Sequence, residues 1–389
     1  MHTDSSPRLL YFSPAWSGGL ADYAHEQAQA LAKIGVQVTL LTSPAYSKAD
    51  ASLYEQQRTL KTAGAFKSPI ALLRKSVFAT HLLQNYAALA RTIQREGFQY
   101  VLFGSYAEYL APLWVRPLRG LADQGVKFGA VVHDPVRGYV VGPLWWHRWS
   151  IACTYSFLQE AFVHEAIELD TVKPMPNLRT TVIPQGVYNF PPAQMSRESV
   201  RANLKIPSHV KVLLSFGHIR DGKNLDLALR AMANFPEVYL VVAGKQASSA
   251  QRPVSYYQNL AYTLGVADRC RWQLDFIPEN QVGDLFNACD GILLTYSASF
   301  QSASSVLNVG AAYRRPCIAS GGQGNLQTMV RRYGLGVWVE PDSWEAIGAG
   351  IQQWLKGIDP PCWEDYERDN SWARNAELVY ARFWGNTCN

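Results

Sequence analysis

Short continuous apolar runs alternate along this chain with longer stretches in which apolar residues recur at helical spacing. The runs are Arg8–Ser13, Val36–Thr42, Tyr100–Phe103, Phe128–Val132 and Ala161–Glu165 in the first half, then Val210–Phe216, Val238–Gly244, Arg271–Phe276, Gly291–Tyr296 and Pro316–Ser320 in the second. Runs of this length, bounded by turn residues, read as buried strands. The periodic stretches between them read as helices. Examples are Asp22 to about Ile34, Val306 to Tyr313, Asn370 to Trp384, and a helix after Phe216 whose apolar face is Leu225, Leu227, Leu229, Ala231 and Met232. Residues 55–97 read as helical too, with Phe66, Ile70, Leu72, Leu73, Val77 and Phe78 as the core-facing positions. Strands alternating with helices imply parallel sheets with right-handed crossovers, so the fold class is α/β. A length of 389 residues suits two domains, each with its own core. Pro184, Pro191 and Pro192, where periodicity is lost, mark the break between them.

A hydrophobic fraction of 48% with 17% charged residues describes a folded globular protein, and no apolar run is long enough to span a bilayer. The first eight residues, Met1 to Arg8, lack the apolar centre of a signal peptide. Six cysteines (Cys153, Cys270, Cys289, Cys317, Cys362, Cys388) lie far apart with no CxxC spacing, which points to a reduced cytoplasmic setting and away from zinc. A net charge of +5 and a pI near 8.8 suit anionic ligands or an anionic membrane surface, and are too small to argue for nucleic acid.

The chemistry concentrates in Phe216–Asn224, a strand-to-helix turn reading Phe-Gly-His-Ile-Arg-Asp-Gly-Lys-Asn. Gly217 and Gly222 permit close backbone approach, while Arg220 and Lys223 put two cations beside a helix N-terminus that already favours an anion. A phosphate-bearing ligand fits that turn, as does an ordinary βα turn with solvated cations. Gly18-Gly19 follows the first strand, where open α/β sheets bind ligands. His133-Asp134 ends the Phe128–Val132 strand and serves either chemistry or the cap of the next turn. Lys61, Lys67, Arg74 and Lys75, scattered among the apolar residues of 55–97, read first as a solvated basic face and second as a membrane-surface contact. The cluster Pro143–Trp149 holds three tryptophans, read first as packing and otherwise as a sugar-stacking surface or interfacial anchor. Neither Walker A spacing nor a clean GxGxxG is present, which weakens ATPase and dehydrogenase readings.

The wording Gly217-His-Ile-Arg220-Asp-Gly-Lys223-Asn224, followed by a Leu-rich helix, resembles the start of the C-terminal domain in retaining GT-B glycosyltransferases of the family 4 type. Gly18-Gly19, His133-Asp134, Ala161–Glu165 and Thr181–Tyr188 extend the resemblance along nearly the whole chain. It implies a GT-B fold of two Rossmann-like domains with parallel sheets facing across a cleft. The N-terminal acceptor-side domain would cover 1–190, a linker 191–210, the nucleotide-sugar domain 211–368, and a helix in 369–389 would return to the first domain. It further implies hexose transfer from a nucleoside diphosphate-sugar to a glycan or lipid-linked acceptor with retention of configuration, without metal or other cofactor. Arg220 and Lys223 would hold the diphosphate, Gly18, Gly19 and Gly217 would lie against it, and His133 would face the donor sugar. The sequence departs from the family at its paired glutamates. The second of those positions falls on Val309, beside Asn308, and the loop before it reads Phe300-Gln-Ser-Ala-Ser-Ser305. Gln301, Ser302, Ser304, Ser305 and Val306 would then contact the donor through hydroxyl, amide and backbone groups. The missing carboxylates leave a second reading, a degenerate member that binds nucleotide or glycan, or scaffolds a partner, without turnover.

Overall fold

The computed structural model describes residues 6–48, 52–66, 68–137, 140–248 and 250–385, so Lys67 and Cys388 lie outside the described residues. The chain divides into two compact units, residues 1–185 with 371–389, and residues 186–370.

The first unit runs β1 (Arg8–Phe12), α1 (Gly19–Lys33), β2 (Gln37–Leu41), β3 (Glu55–Gln57), α2 (Ala71–Glu96), β4 (Tyr100–Phe103), α3 (Ala111–Asp123), β5 (Lys127–Val131), α4 (Leu144–Tyr155), β6 (Glu160–Val163) and β7 (Arg179–Val182). Its seven strands are all parallel in the order β3-β2-β1-β4-β5-β6-β7. Buried on both faces, β1, β2, β4, β5 and β6 are largely apolar, which is why they are readable from sequence. One face is covered by α2, α3 and α4 through Leu89, Trp114, Leu118 and Ile151. The other is covered by α1 and by the last helix of the chain, α13 (Trp372–Phe383), through Leu31, Val379 and Phe383. A buried polar network fixes α13 on α1. Tyr11 Oη donates to Gln27 Oε1 at 2.8 Å, Gln27 Nε2 donates to Asn375 Oδ1 at 2.7 Å, and Asn375 Nδ2 donates to Pro184 O at 2.7 Å and Tyr23 Oη at 3.0 Å. Buried amides with every partner in place tolerate no slip in register.

The second unit runs α5 (Arg197–Asn203), β8 (Lys211–Phe216), α6 (Leu225–Met232), β9 (Val238–Ala243), α7 (Val254–Thr263), β10 (Cys270–Gln273), α8 (Glu279–Ala288), β11 (Gly291–Thr295), α9 (Ser305–Ala312), β12 (Cys317–Ser320), α10 (Asn325–Arg332), β13 (Gly336–Trp338), α11 (Trp344–Lys356) and α12 (Trp363–Asp369). Its parallel strands take the order β10-β9-β8-β11-β12-β13. Strand order therefore reverses between β1 and β4 in one sheet and between β8 and β11 in the other. In open α/β sheets such switch points, at the carboxyl ends of the strands, are where ligands bind.

Four expectations change. Residues 191–210 are part of the second unit and contain α5, because buried Arg201 bonds the carbonyls of Ala288, Ser208 and Val210 and the Asp290 carboxylate, anchoring the segment. Residues 55–57 form an edge strand on β2, where polar side chains are tolerated on the outer side, and the helix begins only at Ala71. Its first three turns contribute no buried residue, the first being Leu82, so Leu72 is 74% exposed where core packing was expected. The tryptophan cluster also splits. Trp146 donates to Tyr109 O at 2.9 Å, whereas Trp145 is 65% and Trp149 49% exposed.

Candidate active site

In the second unit, β8 delivers the chain to Gly217, whose φ of +83° is strained for any residue with a side chain. A Cβ there would lie 3.5 Å from Lys223 Nζ and 3.7 Å from Val306 Cγ2, so this turn, Lys223 and the first turn of α9 converge on one point beside the β8–β11 switch. Gly244, at the end of β9, is required by the same crowding, since a Cβ would collide with the Gly217 carbonyl. Lys223 Nζ donates to Phe216 O. Burial, with Arg220 close by, pushes its ammonium down to about 7. Arg220 is exposed, its guanidinium carbon 5.8 Å from the centre of the Tyr296 ring and 5.7 Å from that of Phe300. Those rings stack on each other at 4.0 Å. Cation–π contact orients the guanidinium while leaving its N–H donors outward.

Two aspartates hold this turn. Asp221 Oδ1 accepts from Arg252 N–H at 3.1 Å and Tyr257 Oη at 3.0 Å. Asp342 accepts from Asn224 Nδ2 at 2.8 Å through one oxygen and from the Ala298 N–H at 2.9 Å through the other. Asp342 thus ties the cation turn to the loop after β11. That loop lies down on Gly322 and Gly324, where a Cβ would meet Gln301. Gln301 and Ser302 are half-buried on it. Ser304, expected at the ligand, is 4% exposed, caps α9 by accepting from Leu307 N–H, and bonds Tyr296 Oη at 3.1 Å. A hydroxyl at a helix start is drawn to the unsatisfied N–H groups there, and this one is committed to the fold. Ser305 and Val306 form the first turn of α9. Val309 is buried, and Asn308 Oδ1 accepts from Tyr366 Oη at 2.6 Å, so the position that the resemblance matches to the family's second glutamate faces the core here.

In the first unit, Gly18 has a φ of +75° and its carbonyl accepts from Ala21 N–H at 2.8 Å and Asp22 N–H at 3.0 Å, starting α1 at the exposed Gly19. His133 follows β5, and its Nε2–H donates to Gly104 O at 2.9 Å, at the carboxyl end of β4. The ring packs edge-on against Tyr23 at 4.6 Å and lies 5.5 Å from His164. Burial lowers the pKa of His133, so the ring is neutral at pH 7, with Nδ1 as its acceptor. His164 is pushed down to about 3 by burial and by His133, and its Nδ1–H donates to Ile183 O at 3.2 Å. The sequence reading singled out neither His164 nor Asp342. His164 stands on the first residue past β6 as His133 stands just past β5, and that repeated position is the signal that was available.

The model for Glycosyltransferase Family 4 matches residues 17–188, and the model for Glycosyl transferases group 1 matches residues 196–378. The chain belongs to the group 1 glycosyltransferases. It is 25% identical over 303 residues to the D-inositol 3-phosphate glycosyltransferase of Mycolicibacterium smegmatis, covering 73% of this chain and 67% of that protein. A protein of the same description from Thermobispora bispora is 31% identical over 198 residues, 47% of this chain and 45% of its own. Among solved structures, sucrose-phosphate synthase from Thermosynechococcus elongatus superposes with a TM-score of 0.72 at 18% identity over 97% of this chain and 98% of that one. Anabaena HepE in complex with UDP-glucose superposes with a TM-score of 0.60 at 14% identity, covering 96% and 95%. The fold of this group 1 glycosyltransferase is accordingly GT-B, with two α/β units of parallel strands.

Proposed function

We propose that this glycosyltransferase moves a hexose from a nucleoside diphosphate-sugar to a glycan or lipid-linked acceptor with retention of configuration, and that the turn after β8 holds the diphosphate. The observation that carries the reading is the convergence of Gly217, Lys223 and the first turn of α9 beside exposed Arg220 at the switch point of the second sheet. Departure of the diphosphate leaves an oxocarbenium-like centre and concentrates charge on the leaving oxygens. Fixed cations stabilise that charge without reorganisation. Arg220 and Lys223 are those cations, and no metal or cofactor enters the reading. The acceptor hydroxyl passes its proton to a departing phosphate oxygen. Gln301, Ser302, Ser305 and Val306 contribute neutral hydrogen bonds around the donor. Roles for Gly18, Gly19 and His133 rest on the family resemblance. Gly18's open loop and a neutral His133 ring able to accept a sugar hydroxyl fit them. The five described cysteines are free thiols, which suits a reducing cytoplasm.

Nucleotide release from a panel of UDP-, GDP- and ADP-sugars, with the anomeric proton coupling of the product read by NMR, tests this reading. Buried Val309 and the committed Asn308 favour the alternative of binding without turnover. Binding of a nucleoside diphosphate with no release from any sugar donor would select that alternative.

The Asp342 bridge supplies a separate test. Asp342→Ala is expected to weaken nucleotide binding about tenfold, the scale of losing two charge-assisted hydrogen bonds that position the site. The exchange Asn224→Asp with Asp342→Asn rebuilds the 224–342 bond with donor and acceptor reversed, leaves the amide oxygen at 342 to accept from Ala298 N–H, and is expected to recover most of the affinity. Calorimetric titration reads both variants, and wild-type affinity in Asp342→Ala would contradict the bridge.

A further inference from the structure

Asn375 of α13 is fully buried, and both of its amide hydrogens leave its own helix, one for Pro184 O and one for Tyr23 Oη. An apolar side chain would suffice to pack a helix there, so a buried amide with these partners fixes where the partners sit. Tyr23, in the second turn of α1, is held at both ends. Its hydroxyl accepts from Asn375 Nδ2 and, at 3.4 Å, from Gln27 Nε2. Its buried ring meets Trp372 of α13 at 5.0 Å and 79°, and His133 at 4.6 Å and 86°. The last helix therefore grips the wall on which the His133 imidazole rests.

The second contact of His133 is backed by the same network. Its Nε2–H donates to Gly104 O, and Gly104 lies directly on the Tyr11 ring, where a Cβ would collide with it. Tyr11 Oη donates to Gln27, whose amide donates in turn to Asn375 Oδ1. Tyr11, Gln27, Asn375 and Tyr23 thus form one buried chain that begins behind the Gly104 carbonyl and ends at the Tyr23 ring. A single hydrogen bond leaves an imidazole able to swing about that contact. The perpendicular Tyr23 ring closes the swing, and it keeps the proton on Nε2 because only that placement satisfies Gly104 O.

We propose that Tyr23 is a positioning residue for His133, and that the last helix, through Asn375 and Trp372, holds Tyr23 in place for that task. The inference rests on the donor-side role given to His133 above. Long-range proton–nitrogen NMR of the full chain labelled on histidine, without donor, reads the proton on each imidazole nitrogen, and the His133 signals are those missing from His133→Gln. The wild type is expected to show one tautomer, with Nε2 protonated and Nδ1 bare. Tyr23→Phe keeps the ring and should keep that pattern, whereas Tyr23→Leu should show both tautomers in exchange. In the nucleotide-release assay Tyr23→Leu should lose about tenfold to a hundredfold in kcat, the scale of a misplaced group, with donor KM within about twofold of wild type. Tyr23→Phe should recover most of that rate. Trp372→Leu, at a half-buried position, loosens the same wall and should lower kcat about threefold with the same spectral change, so it carries the test if Tyr23→Leu does not fold. A single tautomer in folded Tyr23→Leu or Trp372→Leu overturns the proposal, as does equal kcat in Tyr23→Leu and Tyr23→Phe beside a slow His133→Gln. Wild-type activity in His133→Gln would instead remove the donor-side role of His133, and the spectra would still decide whether Tyr23 positions its ring.

Discussion

Arg220→Ala and Lys223→Ala are each expected to lower kcat/KM by roughly tenfold to a thousandfold, the range found when one preorganised partner of transition-state charge is removed. The two losses have different structural settings. Arg220 is exposed and rests on the Tyr296–Phe300 stack, so its truncation opens no cavity and should leave unfolding unchanged. Lys223 donates to Phe216 O, and truncation leaves that carbonyl to water, a small cost at a partly buried site. Steady-state release of nucleoside diphosphate, beside circular-dichroism melts, separates catalytic from folding effects. Wild-type rates in both variants would remove the assignment of this turn.

The second large effect is on pH dependence. With its pKa pushed down to about 7 by burial and by Arg220, Lys223 is charged below that pH and loses its proton above it. A donor diphosphate stays doubly anionic across this range and binds the protonated form, so kcat/KM, which reports the free enzyme, should fall about tenfold per pH unit, or ~50-fold between about pH 7 and 9. Donor binding raises the lysine pKa, so kcat should fall later than kcat/KM does. In Lys223→Arg the guanidinium keeps its charge, and the decline above pH 7 should disappear even where the absolute rate is lower. A wild-type profile flat to about pH 9 would contradict a titrating Lys223, and a Lys223→Arg profile that still declines would assign the titration elsewhere.

What was legible in the sequence follows from what is local. The strand, glycine, cations and helix of residues 210–232 are contiguous, β8 is buried and therefore continuously apolar, and the turn chemistry is written in order. Hydrophobic runs marked most strands for the same reason. Two of the missed features depend on partners far along the chain. Asp342 reaches Asn224 across 118 positions, and Asn375 reaches Gln27 across 348, distances over which no periodicity carries information. Edge strand β3, with its Glu-Gln-Gln composition, is specified by its pairing with β2 and by nothing apolar of its own. Ser304 looked like a ligand group because serine before a helix serves a cap and a ligand equally well by type. Its burial and its bonds to α9 and Tyr296 decide for the cap. Leu72 and Trp145 were assigned to packing because an apolar pattern shows which face a helix could bury, and only the neighbouring elements decide whether that face is covered.

The most direct test of the account is the thermal unfolding of the full chain with UDP, GDP or ADP, compared between the wild type and Arg220→Ala/Lys223→Ala. A nucleotide present at a hundredfold excess over its Kd stabilises the folded state by about 2.7 kcal/mol, enough to read as a shift of melting midpoint. The account predicts such a shift for at least one of the three nucleotides in the wild type and its loss in the double variant, with the unliganded midpoints alike. A wild type unmoved by all three, or a shift that survives removal of both cations, would contradict it.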